Sequence, residues 1–306
     1  MILPELKRDV RVELAHIVTA TGLSAAGVAQ RFGISSHGTD ANGIFADPTI
    51  QAVVIATRHS SHAALVAEAL TAGKAVFIEK PLAVDAAGLA LIRKAFRPNS
   101  RLMVGFNRRY SPCLHRISQL MKGSGPLQMI YRVQAGFLPA DAWQWLPEEG
   151  GRFGGEAGHF FDVFQFLANS EPVSVSAARL HPAQATREHA CNISATISYS
   201  DGSVGTLLYT TLGGARLPKE YLEVHGGGSS VLMSNFEELQ IGLGQKKLAT
   251  EKCSSGKGQH QQMQAFLAAL ASGGDMPVDF ETLADVTQVT FDAISTAHGI
   301  GLANNG

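Results

Sequence analysis

A charged pair follows a short apolar run in the first third of the chain. Residues 75–78 are all apolar, Glu79 and Lys80 come directly after them, and Pro81 follows. An apolar run bounded by glycine and proline is typical of a central strand in a parallel sheet, and such sheets bind ligands outside the carboxyl ends of their strands. We therefore expect Lys80 to present a cation at the ligand edge. The alternative is an ordinary solvated ion pair at a strand end.

Polar residues also follow two other apolar runs. Asn107 and Arg108 follow the run 102–106, and a second polar group follows the run 52–56. That second group consists of Thr57, Arg58, His59 and His62. The two histidines are three residues apart, but no carboxylate or cysteine completes a metal site with them, so we predict no metal. The alternative for Arg108 is that it forms a basic surface patch with Arg109.

The elements that must position these residues alternate between strand and helix over the first third. Apolar runs at 12–18, 52–57, 75–78 and 102–107 predict strands, and Ser24 and Asp85 are predicted to cap helices at 25–32 and 86–96. Such alternation is typical of right-handed βαβ units in a doubly wound parallel sheet.

The pattern changes after Tyr110. Ser111 and Pro112 predict a helix start, and 127–135 predicts a long strand. Turn residues at 200–203 and 226–230 predict hairpins, and two helices at 259–271 and 281–298 close the chain. This part is therefore predicted to be a mostly antiparallel sheet with helices, and the domain boundary is placed at 108/109.

The bulk composition is that of a globular protein with room for two cores. The chain has 306 residues, of which 45% are hydrophobic and 17% charged, and its formal net charge is -1. This charge favours neither nucleic acid nor an anionic membrane, so we expect small molecules or protein as partners. Cys113, Cys191 and Cys253 are widely spaced and are predicted to be reduced, unpaired thiols. With no leader or membrane-length apolar run, the prediction is a cytoplasmic protein.

Four motifs in order resemble the Gfo/Idh/MocA family of NAD(P)-dependent oxidoreductases, which includes the relatives of glucose-fructose oxidoreductase and inositol dehydrogenase. They are Val54-Ile55-Ala56-Thr57 with His62, Glu79-Lys80-Pro81-Leu82, Gly105-Phe106-Asn107-Arg108-Arg109-Tyr110, and Gly150-Gly151 through His159 and Asp162. The resemblance covers nearly the whole chain. Within the family the chain looks most like a subgroup that is often the C-terminal half of a larger protein, behind a zinc-alcohol-dehydrogenase-like half.

The resemblance implies a fold, a reaction and a set of residues. The fold is a Rossmann-like NAD(P)-binding domain, residues 1–108, followed by a substrate and oligomerisation domain, residues 109–306, with a large open sheet that commonly mediates homo-oligomers. The reaction is hydride transfer between NAD or NADP and a hydroxyl-bearing carbon of a sugar, polyol or similar compound. The family's lysine and histidine map onto Lys80 and His159. The implied cofactor-binding residues are Thr57, Arg58, His59, His62, Glu79, Lys80, Asn107 and Arg108.

The chemistry of the two central residues agrees with that implication. Oxidising an alcohol needs a group that takes the hydroxyl proton and a cation that stabilises the developing alkoxide. A histidine, with an unperturbed pKa near 6.5, suits the first role, and Lys80 suits the second. The alternatives are that His159 is an ordinary core histidine and that Lys80 is an ordinary surface lysine.

The start of the chain departs from the family pattern. A Rossmann domain opens with a strand and a G-x-G-x-x-G turn that hold the pyrophosphate, and no such fingerprint occurs before residue 12. The fold class is therefore a truncated Rossmann-like parallel sheet followed by an α+β domain. A missing central strand leaves two open backbone edges or makes the sheet close up. Three explanations stay open: a chain cut from a longer protein, a misassigned start, or a variant that holds the cofactor differently. Thr19-Ala20-Thr21 also stands where an acidic residue would bind the ribose, which disfavours a strict NAD preference.

A second departure concerns the acid near His159. Family members often carry Asp four residues before the histidine, whereas this chain has Gly155 there and Glu156 next to it. Asp162 lies one helical turn after His159. The hypothesis is that Glu156 or Asp162 orients His159. The competing functional reading is a non-catalytic scaffold that has lost the dinucleotide phosphate loop.

Overall fold

The structure is a computed structural model that describes residues 2–181, 187–214, 216–253 and 256–299. The described strands form three sheets. The strands are β1 (His16–Val18), β2 (Ser36–Gly38), β3 (Ala52–Ile55), β4 (Ala75–Ile78), β5 (Leu102–Val104), β6 (Gln128–Gln134), β7 (Pro172–Arg179), β8 (Ile193–Tyr199), β9 (Val204–Thr210), β10 (Glu220–Gly226), β11 (Ser229–Ser234), β12 (Glu238–Leu243) and β13 (Ala249–Lys252). The helices are α1 (Ile2–Arg8), α2 (Gly22–Phe32), α3 (Asn42–Ala46), α4 (His62–Thr71), α5 (Ala86–Ala95), α6 (Pro112–Leu120), α7 (Gly151–Ala168), α8 (Arg187–Ala190), α9 (Gln259–Ser272) and α10 (Phe280–Ala297).

The first third forms two small parallel sheets instead of one. β1 pairs with β2, and β3, β4 and β5 pair in that order, all in parallel. β4 is buried along its whole length, as expected for a central strand covered on both faces. The predicted strand at 12–18 is shorter than expected, because only its last three residues find a pairing partner.

A cleft of about 1610 Å³ separates the two small sheets. It is lined by residues of β1 on one side and of β3 on the other, and within the described chain neither strand pairs across it. Of the two outcomes foreseen for a missing central strand, the structure shows open edges. Backbone N–H and C=O groups at such edges remain available to another strand.

The last two thirds form one eight-stranded sheet with α7 and α10 against it. Its order is β13-β12-β11-β10-β6-β9-β8-β7, antiparallel throughout except for the parallel pair β6–β9. α7 lies on the buried face, where Phe160 and Phe164 contact Tyr131 at ring-centroid distances of 5.0 and 6.2 Å. The fold class predicted from the sequence, Rossmann-like parallel strands followed by an α+β domain with a large mostly antiparallel sheet, is confirmed. The boundary at 108/109 stays a prediction.

Helix α9 returns to the first domain after the large sheet. Met263, Phe266 and Leu267 form a hydrophobic cluster with Phe77 of β4 and Met103 of β5, separate from the main core. Phe77 and Phe266 meet edge to face at 5.6 Å. The two halves of the molecule are therefore joined by burial of apolar side chains as well as by the chain connection.

Side-chain caps fix several helix starts close to the predicted positions. Asp85 accepts a hydrogen bond from the Gly88 N–H at 2.7 Å, and Ser111 accepts one from the Leu114 N–H at 3.2 Å. The prediction that Ser24 caps α2 is wrong. Thr21 is the cap and accepts a hydrogen bond from the Ser24 N–H at 3.3 Å, so the helix begins one turn earlier than its apolar periodicity indicates.

The prediction of three unpaired thiols is wrong for two of them. Cys113, at the start of α6, and Cys253, directly after β13, form a disulfide with their Cα atoms 5.5 Å apart. Their separation of 140 residues explains why spacing alone could not indicate the pairing. Cys191 is buried.

Candidate active site

The carboxyl ends of β4 and β5 face α7 across a cavity of about 240 Å³. Six residues singled out in the sequence line it: Glu79, Lys80, Asn107, Arg108, Glu156 and His159. The first four follow parallel strands, and the last two lie on α7. The expectation that strand ends create the ligand edge is therefore met by the geometry of β4 and β5.

Lys80 is held at the edge of the cavity by the backbone around it. Its Nζ donates to the Gly155 carbonyl at 2.9 Å, and the peptide bond to Pro81 is cis. Behind this turn, Nδ1 of His62 lies 2.7 Å from the Pro81 carbonyl oxygen. Burial lowers the pKa of Lys80, while the carboxylates of Glu156 and Glu79 oppose that shift. The described residues include no carboxylate within ion-pair distance of its Nζ.

His159 faces the same cavity from α7 and is 8% exposed. Its Nδ1 is buried without a hydrogen-bond partner among the described residues. Burial, followed by the positive charges of Arg108 and Lys80, holds the pKa of His159 well below its usual range. The imidazole is therefore neutral at neutral pH and can accept a proton.

The two acids proposed to orient His159 have other partners. Glu156 lines the cavity and accepts a hydrogen bond from the Tyr209 hydroxyl at 2.8 Å. Asp162 is fully buried and binds the Arg109 guanidinium at 2.5 to 2.9 Å, away from the lining of the cavity. Because Nδ1 of His159 contacts neither carboxylate, the structure does not support direct orientation by Asp162.

The departure at Gly155 has a steric reason. A Cβ atom at this position would lie 2.7 Å from Cε1 of His59. An aspartate at residue 155 would therefore collide with the imidazole, and the nearest available acid on the helix is Glu156.

A buried ionic cluster supports Arg108 at the rim of the cavity. The carboxylate of Glu220 accepts hydrogen bonds from Arg108 at 2.7 and 2.8 Å, from Lys257 at 2.5 Å and from the Tyr131 hydroxyl at 2.8 Å. Burial raises the pKa of Glu220, but Arg108 and Lys257 outweigh it and lower the value to about 2. The amide of Asn107 donates to the Lys257 carbonyl at 2.7 Å. The cluster therefore fixes the ends of three segments of chain around the cavity.

The four polar residues after β3 do not line this cavity. Thr57 and Arg58 line the cleft between the small sheets, and Arg58 lies over the Trp143 ring at 5.6 Å. His59 contacts the Glu149 carbonyl oxygen at 3.0 Å, and His62 contacts the carbonyl oxygens of Pro81 and Thr57. Both histidines contact backbone carbonyl oxygens and help to position the chain. A role for all four residues in cofactor binding stays a prediction.

Four residues at or beside the cavity were not predicted from the sequence, and all of them lie in the second domain. Lys219 and Lys257 line the cavity, Glu220 lies behind Lys257, and Tyr209 binds Glu156. No local motif marks them. The positions of Lys219, Glu220 and Tyr209 follow from the pairing of β10 and β9 with β6, and Lys257 lies just before α9. The available signal was Glu220, an acid that alternates with Leu222 and Val224 on the inward face of β10.

The buried histidines predict acid sensitivity. Burial lowers the pKa of His62 and His159, and it lowers that of His59 to about 4. On acidification the unfolded chain therefore binds protons that the folded chain does not. We expect the free energy of unfolding to be level above pH 7 and to fall below pH 6.5, by up to about 1.4 kcal/mol per pH unit for each proton. Urea denaturation between pH 8 and pH 5 measures this slope.

A pair of variants distinguishes the effect of a buried histidine on the pH dependence of stability from that of an exposed one. His62→Gln should reduce the slope below pH 6.5, whereas His37→Gln, at an exposed position, should leave it unchanged. A free energy of unfolding that stays level down to pH 5 in the unmodified chain would contradict this interpretation.

The lining of the cavity fits one end of a nicotinamide dinucleotide better than the other. The cavity at the ends of β4 and β5 has a half-buried lysine and a neutral histidine with an unpartnered ring nitrogen, which suits a reacting ring and a hydroxyl group. The described residues contain no glycine-rich turn between a strand and a helix that could bind the pyrophosphate. The reactive end of the dinucleotide therefore fits, and its phosphates lack their usual support. The described part of the chain also contains no cluster of three side chains suited to a metal ion.

A small parallel sheet with polar residues at its carboxyl edge, joined to a second domain whose helix α7 supplies an imidazole to that edge, is typical of two-domain dinucleotide-linked oxidoreductases. Comparison with known proteins agrees and is more specific. Residues 2–106 match the model described as an oxidoreductase family with an NAD-binding Rossmann fold, and residues 130–294 match the model of that family's C-terminal alpha/beta domain. The chain belongs to the Gfo/Idh/MocA oxidoreductase family.

Similar proteins include two inositol dehydrogenases. The chain is 33% identical over 167 residues to inositol 2-dehydrogenase of Rhizobium meliloti, which covers 54% of this chain and 50% of that protein. It is 30% identical over 154 residues to scyllo-inositol 2-dehydrogenase (NAD(+)) of Bacillus subtilis, covering 49% and 44%. The matched segments thus span about half the length of these curated relatives.

Solved structures share the fold over nearly the full length. Levoglucosan dehydrogenase, in complex with NADH and levoglucosan, has a TM-score of 0.82 at 21% identity, covering 97% of this chain and 92% of that one. Biliverdin reductase from Synechocystis, in complex with biliverdin and NADP+, has a TM-score of 0.78 at 21% identity, covering 96% and 94%. Among the described helices, none is both long and apolar enough to cross a membrane.

Proposed function

We propose that the cavity between Lys80 and His159 transfers hydride between NAD or NADP and a hydroxyl-bearing carbon of a sugar, polyol or related small molecule. The observation that carries this proposal is the convergence of a half-buried lysine and a neutral histidine on one cavity at the carboxyl ends of β4 and β5. The relatives' names and the family models support the same reaction class.

On this proposal His159 and Lys80 act on the same hydroxyl group of the substrate. His159 accepts the hydroxyl proton, and the ammonium of Lys80 stabilises the negative charge that develops on the oxygen. A bound oxidised nicotinamide supplies the hydride acceptor. Glu156, fixed by Tyr209, opposes the loss of the proton from Lys80 and so keeps the cation charged.

The test is a spectrophotometric assay of the chain with each cofactor. We expect absorbance at 340 nm to rise when NAD or NADP is mixed with the chain and at least one member of a panel of inositols, aldoses and sugar acids. His159→Asn should lower that rate by about 10²-fold or more, since general base catalysis is typically worth 10² to 10⁴. Folded protein that binds cofactor and shows no turnover with any member of the panel would refute the proposal.

A second candidate function is a non-catalytic scaffold. The observation that favours it is the cleft between the small sheets, which leaves the dinucleotide without the central strand and glycine-rich turn that usually bind its phosphates. On this alternative the large sheet is retained for assembly. Failure of a folded sample to bind either cofactor would favour the scaffold over the enzyme.

We infer that the outer face of the large sheet joins two copies of the chain. Ile130 and Leu208 are each 41% exposed on this face, on the neighbouring strands β6 and β9, opposite the side covered by α7. Adjacent exposed aliphatic residues on a broad sheet are typical of a surface that is buried by a partner. A self-complementary sheet face suits a two-fold dimer.

Leu208→Glu tests this interface. We expect the wild-type chain to show the mass of a dimer in light scattering and the variant to show the mass of a monomer, because the substitution places two carboxylates in an apolar contact. The control is Leu23→Glu, since Leu23 is 88% exposed in the first domain. A monomeric wild-type chain, or a variant with unchanged mass, would contradict the inference.

A further inference from the structure

Lys219 is a cation at the cavity with no carboxylate partner among the described residues. It stands directly before β10, where its carbonyl oxygen accepts a hydrogen bond from the Gln134 N–H at 2.8 Å. Its side chain is exposed and lines the cavity, and no ion pair within the described chain includes it. The backbone contact fixes its position, while the ammonium stays free to meet a ligand.

Beside Lys219 the cavity lining includes Arg108 and Lys257, and of these three cations only Lys219 has no carboxylate within ion-pair distance among the described residues. Arg108 and Lys257 share the single carboxylate of Glu220. With Lys219 added, this wall of the cavity carries three cations, and its acids are Glu156 and, behind Lys257, Glu220. The other acids of the cavity lie on the first-domain side. Glu79 follows β4, and Glu5 of α1 is paired with Arg8 and His260.

Lys219 lines the same cavity as both residues of the proposed chemistry, Lys80 and His159. After burial, its positive charge is among the influences that lower the pKa of His159, together with Arg108, Lys80 and Lys257. It also lowers the pKa of Lys80, although burial is again the largest cause. A ligand with its hydroxyl group between Lys80 and His159 therefore shares its cavity with the unpaired ammonium of Lys219.

We propose that Lys219 binds the carboxylate of the substrate, so that the natural substrate is a sugar acid and not a neutral polyol. This inference rests on the proposed function of the same cavity for the position of the reacting hydroxyl group. A carboxylate beside Lys219 offsets the unpaired positive charge of the wall, whereas a neutral polyol leaves it unbalanced. Arg108 and Lys257 are already held by Glu220, so Lys219 is the residue that discriminates.

An anionic group could also come from the dinucleotide. Its phosphates and the carboxylate of a substrate share the chemistry that an ammonium recognises. The two sources are distinguished by measuring sugar-acid binding in the absence of cofactor and cofactor binding in the absence of sugar acid.

The experiment compares two ligands that differ at one carbon. Calorimetry measures the binding of D-gluconate, which has a carboxylate, and of D-glucitol, which has a hydroxymethyl group in its place, to the whole chain without cofactor. The same titrations are made with Lys219→Met and with Lys122→Met, an exposed control position outside the cavity lining. NADH and NADPH are titrated into all three proteins.

The proposal expects gluconate to bind at least about tenfold more tightly than glucitol to the wild-type chain and to Lys122→Met. In Lys219→Met the preference should fall to less than about threefold, with binding of NADH and NADPH unchanged. Equal binding of both ligands to the wild-type chain overturns the proposal, as does a lack of gluconate binding up to about 20 mM. The proposal is also overturned if Lys219→Met keeps the preference for gluconate but loses affinity for NADH or NADPH, since Lys219 would then bind the phosphates of the cofactor.

These titrations measure binding and not turnover. A preference for gluconate in a chain without activity therefore supports the sugar acid as ligand and refutes only the proposed hydride transfer.

Discussion

Replacing Lys80 with methionine should lower kcat for alcohol oxidation by about 10³-fold while leaving cofactor affinity nearly unchanged. Methionine keeps most of the apolar bulk of the side chain and removes its charge. The oxygen of the reacting group then loses the cation that stabilises it in the transition state. Steady-state kinetics at 340 nm with the substrate found in the panel measures the effect, and calorimetry with NADH measures the affinity.

A matched control separates this effect from a general change in charge. Lys122→Met also removes one exposed cation, at a position that does not line the cavity, and should leave kcat unchanged. If Lys80→Met retains more than about a tenth of the wild-type kcat, Lys80 is not an electrostatic participant in the reaction.

The second large effect is on stability. We expect Asp162→Asn to lower the free energy of unfolding by about 3 to 5 kcal/mol, because it leaves the guanidinium of Arg109 buried without a counter-charge. Asp162 is 0% exposed and Arg109 9%, and the pair is joined at 2.5 Å. Urea denaturation at pH 7.5 measures the loss.

The exposed pair of Arg116 and Glu251 supplies the control. These side chains are 43% and 41% exposed, so water screens their interaction and Glu251→Gln should change stability little. Turnover of the folded Asp162→Asn protein decides its other possible role. A kcat within about threefold of wild type shows that Asp162 supports the fold, whereas a loss near 10²-fold would restore the hypothesis that it orients His159.

Local signals in the sequence were sufficient to predict the strands and helices around the cavity. The apolar run before Glu79 and Lys80 became the buried strand β4, and the capping residues Asp85 and Ser111 begin α5 and α6. These features depend on residues within a few positions of one another, for which periodicity and capping are direct physical causes. The same holds for the alternation that predicted the parallel strands.

Features that depend on distant pairing could not be predicted in this way. The disulfide of Cys113 and Cys253 and the ion pair of Arg108 and Glu220 each join residues that are more than 100 positions apart. Spacing in the sequence carries no information about such contacts unless a motif fixes the topology between them. The separation of the small sheets had a local signal, the missing glycine-rich turn, but its result depended on how the rest of the sheet packs.

The central claim is that the cavity beside Lys80 and His159 accepts a nicotinamide dinucleotide. The most direct measurement is a calorimetric titration of the chain with NADH and with NADPH, on a sample shown to be folded by circular dichroism. The account predicts saturable binding of at least one of them with Kd below about 1 mM, that is, a binding free energy stronger than about -4 kcal/mol. No saturable binding of either cofactor to the folded chain would contradict the account and leave the scaffold as the better description.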